Sequence, residues 1–464
     1  MEKAKIGIIG LAVMGANLAR NFASRGNLTA VFNRTYQRTK DLLEAHPGEN
    51  LVGVENLAEF VEVLEKPRKI ILMVQAGNAV DEVIGQLMPL LEAGDYIIDG
   101  GNSFFEDTER RGREALANGV KFLGMGISGG EEGALLGPSL MPGLGQSDWK
   151  YFESLLESIA AKDFAGMPCV TAVGQGGAGH YVKMVHNGIE YAMMQLIAEI
   201  YDFNRKAKGL SALEIAKIFA SANSGKSASF LADIAAKVLA HQDSVTEKPL
   251  IDLILDKAAQ KGTGGWTSIE SIKLGAGAEM IGEAVSARSI SSFLDLREKL
   301  AGKMTSDYQQ STLEINWDNV LYIGMLMAYA QGLFLIKLAA ETYNWKIDLA
   351  EVCRIWQGGC IIRSKLLINL REAYLMNTEV RHPLESEDIL NIAKENLIDW
   401  RNFVLESARS GVAIPACASA YNYFLSVTSK NSPANLIQGL RDFFGAHTFE
   451  RTDRAGIFHE NWTN

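Results

Sequence analysis

The run Lys183-Met184-Val185-His186-Asn187-Gly188-Ile189-Glu190-Tyr191 brings a base, an acid and several hydrogen-bonding groups together at helical spacing. Lys183, Asn187, Glu190 and Tyr191 stand at i, i+4, i+7 and i+8. A helix through them puts all four on one face, with His186 beside them at i+3. On a rigid element such a set can hold a small polar substrate and move protons. A solvated Lys/Glu stripe has the same spacing, and residue types alone do not separate the two.

A second motif lies far upstream. The apolar run Ile6–Ile9 feeds Gly10-Leu11-Ala12-Val13-Met14-Gly15, and a helical pattern begins at once. This is a G-x-A-x-x-G variant of the dinucleotide-binding turn. Gly10 permits the tight turn, Ala12 stands where a glycine is usual, and Gly15 lets the helix pack on the strand. The helix N-terminus then faces the phosphates. The next strand ends Asn33-Arg34-Thr35. An NAD site would place an acid there, on the ribose hydroxyls. Arg34 can instead pair with a 2′-phosphate, and Asn33 and Thr35 can hydrogen-bond it, which favours NADP. A surface arginine in a loop is the plainer alternative.

These motifs need elements to hold them. Apolar runs at Lys5–Ile9, Leu28–Asn33, Lys69–Val74, Tyr96–Asp99, Lys121–Gly126 and Val170–Val173 are predicted strands. Helical patterns between them, such as Met14–Ser24 and Ala79–Leu91, make a βαβ alternation and predict a parallel, doubly wound sheet. After Gly174-Gln175-Gly176-Gly177 the strand signals stop, and helical patterns run to about Ser429. The expected domains are 1–176, 177–430 and 431–464. Within the helical part, Glu190-Tyr191-Ala192 echoes Ala328-Tyr329-Ala330, and Leu213–Phe219 echoes Leu349–Trp356, which suggests a duplicated unit. The aromatic, basic tail is too short for a core of its own and must dock on something; Asp453-Arg454-Ala455-Gly456 reads as a turn within it.

Bulk properties exclude several classes. With 45 Lys+Arg against 55 Asp+Glu the net charge is −10, a poor match to nucleic acid or an anionic membrane. The four cysteines form no C-x-x-C pair and have no flanking His cluster, so neither zinc nor a disulfide framework is suggested and a reducing cytoplasm fits. The N-terminus has no apolar signal region. The longest apolar stretch, Val320 to Ile336, falls short of the ~20 residues of a membrane span and reads as a buried core helix.

Taken together, the segments GLAVMG (10–15), NRT (33–35), IDGGNS (98–103), GISGGEEGA (126–134), KMVHNGIEY (183–191), QKGTG (260–264), EAVSAR (283–288), GGCIIR (358–363) and RDFFGAHTFERTD near the end resemble the decarboxylating 6-phosphogluconate dehydrogenase family over nearly the whole length. The resemblance implies a Rossmann α/β domain, a large all-α domain with internal duplication, a C-terminal tail reaching the partner subunit, and a metal-independent homodimer. It implies oxidation of 6-phospho-D-gluconate by NADP, loss of CO2 and release of ribulose 5-phosphate.

Position by position, the resemblance makes Lys183 the general base and Glu190 the acid. It places Val74-Gln75-Ala76 on the coenzyme and Asn102 between coenzyme and substrate. Ser128, Gly129 and Gly130 fall at the substrate carboxylate, and His186 and Asn187 at its hydroxyls. Tyr191, Lys261, Thr263 and Arg288 fall at its phosphate, with Arg441 and His447 of the tail entering the neighbouring subunit's pocket. The chain departs from the family at Gln75, Ala222, Gly265 and Gln357, and at Val427-Thr428-Ser429. Those departures support the alternative of a catalytically weak paralogue that binds nucleotide or sugar phosphate as a regulator; a related dehydrogenase acting on another acid would require a different phosphate pocket, whereas Lys261, Thr263, Arg288 and Arg441 are all present.

Overall fold

The computed structural model describes residues 2–260, 262–303 and 308–463. By its contacts the chain forms two compact units, Met1–Ala420 and Tyr421–Asn464.

The first unit opens with a seven-stranded sheet in the order β3-β2-β1-β4-β5-β6-β7. Its strands are β1 (Ile6–Ile9), β2 (Thr29–Phe32), β3 (Leu51–Gly53), β4 (Lys69–Leu72), β5 (Tyr96–Asp99), β6 (Lys121–Ser128) and β7 (Ser139–Pro142). All neighbours pair in parallel except β6 and β7. Ile6, Ile8, Ile71, Ile98 and Leu123 are buried in one hydrophobic cluster, and Ile9, Ala30, Ile70, Leu72 and Ile97 in another. Covered on both faces, the inner strands carry unbroken apolar runs, the signal that marks them in the sequence. Strand order reverses between β1 and β4, and ligands of such sheets bind beyond the carboxyl ends at that point. Gly10 and Val74 follow there.

Two strands carry too little signal to be foreseen. β3 is a three-residue, half-buried edge strand. β7 ends in Pro142 and lies between glycines. The expected strand Val170–Val173 is not formed. Only Val170 bridges to Leu140, and Gly174, at φ +105°, then turns the chain toward the next helix.

The helical part is built around two long helices, Ala178–Lys206 and Trp317–Thr342, which pack on each other. Each is followed by a shorter helix, Ala212–Ser224 and Leu349–Ile355 respectively, at the places where the sequence echo falls. Aligning Tyr191 with Tyr329 puts Leu321, Met325 and Ala328 where the first helix has Lys183, Asn187 and Glu190. All three are buried, so the polar face belongs to one copy and the other has become core. The stretch Val320–Ile336 is accordingly buried within the fold.

The second unit gathers the helix Ala434–Gly445 and a small hairpin, β8 (Phe449–Glu450) with β9 (Ile457–Phe458), around one carboxylate. Asp442 accepts from Thr448 N, His459 Nδ1, Glu460 N and Trp462 Nε1 at 2.8–3.1 Å. Residues 453–456 lie in the turn between β8 and β9.

Candidate functional site

The glycine turn after β1 can exist only with glycine. Gly10 has φ +98°, and a Cβ there would lie 2.5 Å from Met73 O. A Cβ on Gly15 would lie 1.9 Å from Gly10 O, so Gly15 lets the helix Val13–Ser24 start against the turn. That helix has no side-chain cap and no acid in its first turn, leaving its N-terminal N–H groups for an anion. Leu11 packs into the core, while Val13 is exposed. Asn33 ties the turn to the end of β2: its Oδ1 accepts from Leu11 N at 3.0 Å and its Nδ2 donates to Thr35 O at 3.1 Å.

A cavity of about 430 Å³ opens over this turn, lined by Gly10, Ala12, Asn33, Arg34, Thr35, Val74 and Gln75. Arg38 also lines it, a residue the sequence reading did not single out. Its signal was its spacing: Arg38 stands at i+4 from Arg34, in the first turn of the helix Tyr36–Ala45. Two guanidinium groups and no acid at the end of β2 suit a phosphorylated ribose, so these residues fit NADP.

Met73, Val74 and Gln75 also border a second cavity of about 840 Å³. Its wall includes Met14, Ala76, Asn102, Asn187, Glu190, Tyr191, Thr263 and Arg288, with Gln260 and Trp266 as additions. The helix Ala178–Lys206 supplies Asn187, Glu190 and Tyr191, and the helix Glu279–Ser291 supplies Arg288. The Arg288 guanidinium lies 3.4 Å from the Tyr191 ring centroid, and its Nη1 donates to Ala259 O at 3.3 Å. Stacking fixes the plane of a cation that faces the cavity. Lys261 lies outside the described residues.

Lys183, His186 and Ser128 form a buried hydrogen-bonded set on the same helix and the end of β6. Lys183 Nζ is 3.4 Å from His186 Nδ1, which is 3.2 Å from Asn187 Oδ1; His186 Nε2 is 3.1 Å from Ser128 Oγ. His186 Nδ1 faces both the Asn187 amide oxygen and the Lys183 nitrogen, so its proton follows the charge of Lys183: with Lys183 neutral, Nδ1–H donates to Asn187 Oδ1 and Ser128 donates to Nε2. The long helix comes this close to β6 because position 126 is glycine: a Cβ there would lie 2.5 Å from Lys183 Cβ. Gly129 and Gly130 follow Ser128 and open the short helix Gly130–Leu136.

Burial sets the charges. It pushes the Lys183 ammonium below its ordinary value, with Glu190 opposing. It pushes the Glu190 carboxyl up, against the charges of Lys183 and Arg288. It drives His186 well down, helped by Lys183, so the imidazole stays neutral. A base and an acid on one helix, each moved toward neutrality, can take and return protons near working pH. Arg441 and His447 belong to the second unit, where Arg441 Nη1 bonds Gln438 Oε1 at 3.0 Å and the His447 ring sits 5.9 Å from that of Phe444.

Comparison with known proteins agrees over the whole chain. Residues 5–174 match the NAD binding domain of 6-phosphogluconate dehydrogenase, and residues 179–462 match the C-terminal domain of 6-phosphogluconate dehydrogenase. A decarboxylating 6-phosphogluconate dehydrogenase of Lactococcus lactis subsp. cremoris is 46% identical over 469 residues, covering 100% of this chain and 99% of that one. An NADP(+)-dependent, decarboxylating one from Bacillus subtilis is 45% identical over 468 residues, with 100% of both chains covered. The 6-phosphogluconate dehydrogenase of Plasmodium falciparum, solved in its apo form and in complex with NADP+ and with 6-phosphogluconate, superposes with a TM-score of 0.95 at 40% identity, covering 99% of this chain and 100% of that one. The chain therefore belongs to the 6-phosphogluconate dehydrogenase family.

Proposed function

We propose that this protein oxidises and decarboxylates 6-phospho-D-gluconate to D-ribulose 5-phosphate and CO2 while reducing NADP to NADPH. The observation that carries this reading is the pair of cavities that share Met73, Val74 and Gln75 in their walls, one lined by Arg34 and Arg38 and the other by Glu190, Tyr191 and Arg288. The test is turnover of 6-phosphogluconate with NADP and with NAD in parallel; failure with both would overturn the reading.

Gly10, Ala12 and the N-terminus at Val13 would hold the pyrophosphate, and Arg34, Arg38 and Thr35 the 2′-phosphate. The bound NADP supplies a hydride acceptor. Lys183 in its neutral form, which burial favours over the ammonium, removes the C3 hydroxyl proton. The resulting β-keto acid loses CO2 readily if its enolate is stabilised, and the Lys183 ammonium then returns a proton to the keto oxygen. Glu190 then protonates C1 while Lys183 takes back the enediol hydroxyl proton, which leaves the ketone. Asn102, Ser128, Gly129, Gly130, His186 and Asn187 orient the sugar acid, and Tyr191, Lys261, Thr263 and Arg288 hold its phosphate. Removing Arg34 should cost on the order of 1.5–3 kcal/mol of NADP binding and little of NAD binding. Titrating Arg34→Ala with both coenzymes checks this; unchanged NADP affinity would exclude Arg34 as the 2′-phosphate ligand.

We further propose that the protein is a cytoplasmic homodimer in which each tail completes the partner's site. The domains 1–176, 177–430 and 431–464 then act as coenzyme domain, substrate domain and exchanged arm. In support, Leu436, Ile437, Leu440, Phe443 and Phe444 leave an apolar face exposed on the tail helix, the kind of surface that marks an interaction site. Arg441 and His447 would enter the phosphate pocket. Mixing Lys183→Met chains with Arg441→Ala chains should recover activity, because one site of each mixed dimer is wholly intact. No recovery despite proven subunit exchange would assign the tail to its own chain.

A further inference from the structure

Two loops that border the larger cavity, 74–77 and 100–103, meet one buried guanidinium from behind: a hydrogen bond reaches the first and an ion pair the base of the second. Arg111 is 2% exposed, on the helix Phe105–Leu116, and does not line either cavity. Its Nε and Nη2 donate to Asp81 Oδ1 and Oδ2 at 2.9 and 2.7 Å, a two-pronged pair. Nη2 also donates to Gly77 O at 3.0 Å. Gly77 ends the loop Val74-Gln75-Ala76 and stands at φ +93°, directly before the helix Asn78–Leu87. Nη1 lies 3.9 Å from Asp99 Oδ2 with no hydrogen-bond partner of its own.

Asp99 is the node of the other loop. Its Oδ1 accepts from Gly101 N at 2.9 Å and its Oδ2 from Ser103 Oγ at 2.5 Å, which fixes the turn carrying Asn102. Its backbone carbonyl accepts from His180 Nε2 at 2.9 Å, and His180 lies one turn before Lys183 on the long helix. A carbonyl only accepts, so His180 is protonated on Nε2 and takes the Thr108 hydroxyl proton on Nδ1 at 2.7 Å.

We propose that Arg111 is a positioning residue: through Gly77 and Asp99 it sets the spacing between the coenzyme loop 74–77, the loop 100–103 and the helix that bears Lys183. The inference rests on the coenzyme and substrate assignment proposed above. The fork meets three acceptors, Asp81 Oδ1, Asp81 Oδ2 and Gly77 O, and a lysine ammonium lacks the rigid pair of N–H groups that holds a carboxylate in two prongs. Hydride transfer tolerates little misplacement, so a loosened fork acts on rate as well as on coenzyme binding.

The test measures wild type, Arg111→Lys and the outer-face variant Asp81→Asn at a temperature where circular dichroism shows all three folded. Arg111→Lys should raise the KM for NADP at least tenfold, lower kcat and enlarge the deuterium isotope effect with 6-phosphogluconate labelled at C3. Asp81→Asn should move the same quantities about threefold. A purely structural role would lower the melting temperature and leave these quantities alone. Wild-type values in Asp81→Asn, or in Arg111→Lys where it folds, would overturn the positioning role. Absence of turnover in the wild type would instead overturn the function on which it rests.

Discussion

Lys183→Met is expected to abolish hydride transfer while leaving the protein at least as heat-stable as before. Lys183 is 7% exposed: its stem lies against Gly126 of β6, its Nζ is 3.4 Å from His186 Nδ1, and Glu190 and Cys360 are near enough to act on its charge. The buried His186 on the same helix is a weak substitute, because burial keeps its imidazole from holding a proton. A positioned general base is worth about 10²–10⁴-fold, and without it the oxidation does not start. Burial lowers the Lys183 value from 10.5, so the folded chain binds this proton less tightly than the unfolded one. The penalty is therefore present at neutral pH and is lifted as pH rises from the lowered value toward 10.5. Methionine has similar length and no charge to desolvate. Rapid-mixing measurement of NADPH formation beside a thermal melt checks both halves. Near-wild-type NADPH formation would remove Lys183 from the chemistry.

Glu190→Gln should lose about 10²–10⁴-fold in product formation, with the loss in protonation of C1 after CO2 has left. Burial raises the Glu190 value, so the carboxyl keeps its proton to higher pH than an exposed glutamate would. Wild-type activity should rise with pH as Lys183 becomes neutral and fall again as Glu190 ionises. Glutamine cannot ionise, so the falling limb should vanish from the residual activity of the variant. A retained falling limb, or a near-normal rate, would assign the acid elsewhere.

Much of this was legible in the sequence because the signals are local. The turn at Gly10, the strand end at Asn33-Arg34-Thr35 and the face carrying Lys183, Asn187, Glu190 and Tyr191 each lie within one element and its period. What stayed hidden depends on distant partners. β7 is held by pairing with β6 rather than by its own composition. Val170–Val173 has strand composition but meets a neighbour at one residue. Trp266 reaches the larger cavity from the start of the helix Thr263–Leu274, where its type and position carry no chemical pattern. Arg111 meets Asp81 and Gly77 thirty or more residues away in the chain, a contact no spacing rule reveals. Asn33 shows a subtler gap: the sequence marks it as polar and near the coenzyme, but only the fold shows its amide spanning Leu11 and Thr35.

The central claim is that one site couples oxidation to decarboxylation, and simultaneous measurement of NADPH and CO2 from 6-phosphogluconate tests it most directly. Equal amounts of the two, formed with NADP and dependent on both Lys183 and Glu190, are the predicted result. NADPH without CO2, or no NADPH from this substrate while another hydroxy acid is oxidised, would contradict it.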